Sequence, residues 1–161
     1  MHRVPCLSSL VAIGLTLSAL AGAVGAQTGA YPTISERQFT GGSVQLTVTG
    51  SAKIDQEIPI NTKASFGDGG MTWLQFGNSG SEEPNALVTY GETGEIGITV
   101  GKGKFIATGG IIPGERSQCT GDVKVTADLV TGQYACSGIT SQDPETGLGK
   151  VNITLRFSGQ S

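Results

Sequence analysis

Residues 151–158 read Val-Asn-Ile-Thr-Leu-Arg-Phe-Ser, an unbroken alternation of apolar and polar side chains. Because successive side chains of a β-strand point to opposite faces, this period of two predicts a strand with one face in the core and the other in water. The same alternation recurs at residues 43–49 and 96–100, and glycine-rich turns separate such segments. The sequence therefore predicts an all-β fold of about nine antiparallel strands.

The composition agrees with this fold class and limits the architecture. The chain has 161 residues, of which 26 are glycine and 14% are charged. This length suits one domain with its own core, and the scarcity of charge argues against long surface helices. We expect a single β-sandwich, immunoglobulin-like or similar, with a small β-barrel as the alternative. The formal net charge of -3 argues against nucleic acid as a partner.

The first residues have the features of a secretory signal: a basic start at Arg3, an apolar run at 7–20 and small residues up to Ala26. The apolar run is shorter than the roughly 20 residues that a membrane-spanning helix needs. We place cleavage after Ala26, with Ala23 as the competing site. The mature protein is then expected in the periplasm or outside the cell, without a transmembrane segment. The predicted division is a signal peptide at 1–26, an N-terminal tether or edge strand at 27–42 and a β-sandwich domain at 43–161.

Cleavage would also change the available chemistry, because it removes the single histidine, His2, together with Cys6. Without histidine, the mature chain cannot form a Ser-His-Asp or Cys-His site or a histidine-ligated metal centre. The remaining cysteines, Cys119 and Cys136, are expected to pair in an oxidising compartment, which leaves no free thiol. We therefore predict a protein that is not an enzyme and that needs neither a metal nor another cofactor.

The same two cysteines fix the register of a hairpin. Direct pairing of Cys119 with Cys136 places the turn at residues 126–129. A rival register, with its turn at 131–132, sets Cys136 opposite Ala127 and leaves Cys119 roughly 26 Å further along its strand. A disulfide needs Cα atoms about 5.5 Å apart, so it selects the first register.

A resemblance follows from this hairpin. The arrangement of Cys119 followed by Gly132-Gln133-Tyr134-Ala135-Cys136, a loop and a closing alternating strand resembles small exported bacterial β-sandwich proteins. Those proteins pair a cysteine at the start of a strand with one in a Gly-x-aromatic-x-Cys strand near the C-terminus. They are of unknown function, so the resemblance implies a fold and export, and carries over no catalytic residue.

Aromatic residues offer the candidate binding site. Trp73, Phe76 and Tyr90 could form a face on which sugar rings stack. Strand alternation puts Trp73 on the opposite side of its strand from Leu74 and Phe76, so Trp73 is a binding candidate if those two are core. Since tryptophans of β-sandwiches are usually buried, we expect Trp73 in the core, which would remove this site. Trp73 and Tyr90 are the two candidate ligand-binding residues.

Together these features predict a secreted, non-catalytic binding or interaction module for a protein or glycan partner that the sequence does not identify. One alternative is a carrier that holds a small apolar ligand in a cavity of the sandwich or barrel. The other is a carboxylate-based glycoside hydrolase, which needs no histidine. Its candidate carboxylates are Glu82, Glu83, Glu92 and Glu95, for which a role as solvated turn residues is the simpler explanation.

Overall fold

The computed structural model describes residues 36–143 and 145–161, and the regular structure in these ranges is entirely β. The predicted signal peptide and the first part of the predicted tether lie outside the described residues. Within the described ranges, no helix has the length and apolar character needed to cross a membrane. The described residues form eleven strands, compared with about nine expected for the chain: β1 (Arg37–Gln38), β2 (Gly41–Gly50), β3 (Ile54–Pro59), β4 (Phe66–Asp68), β5 (Met71–Phe76), β6 (Asn85–Gly91), β7 (Ile96–Lys102), β8 (Phe105–Ile111), β9 (Cys119–Val125), β10 (Leu129–Asp143) and β11 (Gly147–Gln160).

All strands belong to one curled antiparallel sheet, in the order β1-β4-β5-β6-β7-β8-β10-β11-β2-β3, with β9 added beside β10. The long strand β10 is the point at which the sheet branches. On one edge, its first half pairs with β9 and its second half with β8, while its other edge pairs with β11 throughout. A β-bulge between Cys136 and Ile139 separates the two halves. Gly138, inside the bulge, has a φ of 65° that glycine adopts readily. The predicted all-β class is confirmed, in the form of a half-barrel.

The two arms of the sheet approach each other between β3 and β5. The backbone N–H of Asn61 donates to the carbonyl of Gln75 at 2.7 Å, and the N–H of Gly77 donates to the carbonyl of Pro59 at 2.9 Å. These bonds follow the end of β3, where Pro59 can no longer donate to a neighbouring strand. The sheet is thereby pinned into its curl at this corner.

The core between the arms consists of inward side chains from most of the strands, and two aromatic rings lie near its centre. Tyr134 of β10 and Phe157 of β11 stack with ring centroids 6.1 Å apart. Strand glycines make room for both rings. A Cβ on Gly132 would lie 2.4 Å from Phe157, and one on Gly121 would lie 2.3 Å from Tyr134. These glycines are therefore required for close packing.

The disulfide between Cys119 and Cys136 is present, and the two residues are direct partners in the β9–β10 ladder. The turn falls between β9 and β10 at residues 126–128, as the predicted register requires. Both cysteines are buried and pack against Gly109 of β8, where a Cβ would lie 2.9 Å from the Sγ of Cys119. The predicted pairing and register are confirmed, and the disulfide fastens β9 beside the curl.

Candidate ligand-binding face

Trp73 lies half-buried on the outer face of β5, so the expectation that it belongs to the core is wrong. Thr72, Leu74 and Phe76 are fully buried on the inner face of the same strand. Because side chains alternate along a strand, the burial of these three residues means that the Trp73 side chain points to the outer face. The strand carries apolar residues on both faces, and the packing of the inner set determined which face became core.

Tyr90, the second candidate, points into the core and is 3% exposed. It lies opposite Thr72 in the pairing of β6 with β5. Burial raises the pKa of the Tyr90 phenol, an effect that the neighbouring Thr72 side chain and the positive charge of Arg37 partly oppose. Tyr90 and Phe76 thus face inward, and the structure does not bring these two residues together with Trp73 on one surface.

The partner that Trp73 does have is Phe66, which the sequence analysis missed. Phe66 of β4 is the register partner of Trp73. Their rings stack with centroids 4.8 Å apart and planes inclined by 26°, and Phe66 is 38% exposed. The sequence feature that could have predicted this pairing is Gly69-Gly70. Both residues have positive φ, as a tight two-residue hairpin turn requires. A hairpin centred on these glycines puts Phe66 opposite Trp73.

Polar groups lie directly beside this aromatic pair. A groove of about 420 Å³ is lined by Phe66 together with Glu36, Gln38 and Asp68. Gln38 of β1 is the register partner of Phe66, so the polar residues continue the sheet surface beyond the ring. Carboxylates accept hydrogen bonds and the amide both donates and accepts them. The combination of an aromatic surface with such groups can bind a ligand that has both apolar C–H faces and hydroxyls.

The four glutamates considered for glycosidase chemistry do not form one group. Glu82 and Glu83 lie in the loop before β6, whereas Glu92 and Glu95 lie in the turn after it. The length of β6 separates the two sets by about 20 Å, compared with the roughly 5–10 Å between paired glycosidase carboxylates. The Thr93 hydroxyl donates a hydrogen bond to Glu95 and lowers the pKa of that carboxyl, which favours its ionised form over a proton donor.

The carrier alternative depends on an interior cavity. The centre of the described fold is occupied by large, fully buried side chains, among them Tyr134, Phe39 and Phe76. No observation favours a ligand there, and the alternative stays a prediction. Among the described residues, no cluster of three or more His, Cys, Asp or Glu side chains could hold a metal ion.

Comparison with known protein families, with curated proteins and with solved structures found no match to this chain. The resemblance to small exported β-sandwich proteins stays a prediction from the hairpin residues. The feature of the described surface that points to a function is the Phe66–Trp73 pair with its polar surroundings.

Proposed function

We propose that this protein is an exported, non-catalytic carbohydrate-binding module whose binding site contains the Phe66–Trp73 pair. The observation that carries the proposal is the position of this pair on the outer face of the sheet. Outer strand positions are ordinarily polar in a sheet with one wet face, whereas here two stacked rings meet solvent. An exposed aromatic group of this kind is typical of a binding surface.

The chemistry around the rings favours a glycan over a purely apolar ligand. Glu36, Gln38 and Asp68 line the groove next to Phe66, where they can bind sugar hydroxyls while the C–H face of a sugar ring packs on the aromatic surface. An apolar ligand would leave these polar groups without hydrogen-bonding partners at a cost in affinity. Export, which the predicted signal peptide implies, would bring the protein into contact with polysaccharides outside the cytoplasm.

The test uses the fact that the chain has a single tryptophan, which lies in the proposed site. Emission of Trp73 is recorded while the protein is titrated with cello-, chito-, xylo- and mannohexaose. We expect at least one of these sugars to shift or quench the emission in a saturable way. Phe66→Ala should weaken that binding about tenfold, because it removes an aromatic contact of roughly 1 kcal/mol or more.

Leu148→Ala is the matched control, because Leu148 is an apolar side chain that is 75% exposed at the start of β11, on a different part of the surface. It should bind like the unaltered protein. The proposal is wrong if none of the four sugars changes the emission, or if Phe66→Ala binds the responding sugar as tightly as Leu148→Ala does.

A further inference from the structure

The aromatic pair is one end of a row of residues that crosses the outer face of the sheet. Trp73 lies opposite Thr89, Thr89 opposite Gly97, and Gly97 opposite Gly110. We call these four residues the glycine track. Since neighbouring strands are about 4.8 Å apart, the row from Phe66 to Gly110 spans roughly 19 Å.

Along this row, the side chains become smaller, from two aromatic rings to a threonine and two glycines. Gly97 and Gly110 have no side chain, and both are half-buried because neighbouring groups rise around them. A Cβ on Gly97 would lie 2.5 Å from the Oγ1 of Thr89, and one on Gly110 would lie 2.7 Å from the carbonyl oxygen of Ile96. The row therefore falls from two aromatic rings to two residues without side chains, with the Thr89 hydroxyl packed against Gly97.

The side of the track carries hydroxyl groups. Thr99 and Thr108 form the neighbouring cross-strand pair, and their Oγ1 atoms are 3.4 Å apart. Neither these threonines nor the residues of the glycine track bear a charge, and the carboxylate of Glu95 lies on the other flank of the track, over Gly91. Beyond Gly110 the surface opens into a second groove of about 400 Å³, which Thr108 and Gly110 help to line and where Arg116 and Gln118 lie.

We propose that the glycine track binds an internal stretch of a linear, uncharged polysaccharide, which runs across the strands from the Phe66–Trp73 pair to the groove at Arg116. The proposal rests on the proposed function and extends it to the class of ligand. The uncharged floor matches an uncharged chain, because an anionic sugar buried there would have no cation on the floor to pair with and would be repelled by the Glu95 carboxylate beside the track. The threonine hydroxyls and exposed backbone supply hydrogen bonds along the length of the chain.

The experiment measures affinity as a function of chain length, using the responding sugar series from disaccharide to hexasaccharide. For the unaltered protein, we expect the hexasaccharide to bind at least about tenfold more tightly than the disaccharide. Gly97→Thr places a side chain in the middle of the track and should reduce hexasaccharide affinity to that of the disaccharide. Disaccharide binding at the aromatic pair should stay unchanged.

Threonine suits a strand, and the atom it displaces at position 97 belongs to the side chain of Thr89, so we expect the variant to fold. Retained disaccharide binding and a thermal melt check this directly.

Gly41→Thr is the matched control: Gly41 lies in β2, where a Cβ meets nothing within 4 Å. Equal affinity for short and long sugars, or a Gly97→Thr variant that binds hexasaccharide like Gly41→Thr, would overturn the track while leaving the aromatic site intact. Failure of the aromatic site itself is detected separately with Phe66→Ala.

Discussion

The phenol of Tyr90 lies inside the curled sheet with Thr72 and Arg37 beside it, and its burial has a consequence for stability in alkali. Burial raises the pKa of Tyr90 above its ordinary value of 10.0. The folded protein therefore holds this proton more tightly than the unfolded chain does. The corresponding contribution to stability is complete below about pH 10 and is lost as the pH rises through the folded-state pKa.

Tyr90→Phe should make the protein less sensitive to alkali. The substitution changes stability by only about 1 kcal/mol near neutral pH, since it removes one buried hydroxyl that has no hydrogen-bond partner among the described residues. As the pH rises above about 10, the unaltered protein should lose stability more steeply than the variant, by up to about 1.4 kcal/mol per pH unit from this residue. Urea unfolding at a series of pH values measures both slopes. Tyr134 is present in both proteins, so equal slopes would show that Tyr90 is not responsible.

At the scale of the elements, the β9–β10 hairpin depends on its disulfide. The bond joins residues 17 positions apart, and a closed loop of this size restricts the unfolded chain by about 3 kcal/mol. Cys119→Ala combined with Cys136→Ala should therefore lower the free energy of unfolding by roughly 2–4 kcal/mol in urea titrations. The unaltered protein treated with a reductant is the matched comparison and should move in the same direction. An unfolding midpoint unchanged by both treatments would contradict this account.

The hairpins also explain how far the sequence could predict the structure. The register of β9 with β10 followed from a covalent constraint on two numbered residues, and it is confirmed. No such constraint acts on β5, where both faces carry apolar side chains. Either the face with Trp73 or the face with Leu74 and Phe76 could have been the buried one. The composition of one strand cannot decide that competition, because the neighbouring strands determine which face is covered. The pairing of Phe66 with Trp73 could have been predicted from the Gly69-Gly70 turn. The burial of Tyr90 could not have been predicted in this way.

At the scale of the whole molecule, the order of the strands in the sheet could not be predicted from the sequence. Alternation fixes the faces of a strand and not its neighbours. Along one edge of β10, the pairing partner changes from β9 to β8 at a β-bulge. The approach of β3 to β5 depends on residues that are far apart in the chain. The glycine track exists only because this order places Thr89, Gly97 and Gly110 on consecutive strands, so the candidate site is a property of the topology.

The corner where β3 meets β5 gives a test of the curl itself. If the bonds to Gln75 and Pro59 persist in solution, the amides of Asn61 and Gly77 should exchange their hydrogens at least about 100-fold more slowly than in a free peptide. Exchange at Leu155, in the middle of the sheet, supplies the reference for full protection. Rates near those of a free peptide would mean that the corner is open. In that case β3 and β5 would present free edges for pairing with another chain, whereas protection of both amides would mean that the curl closes these edges within the molecule.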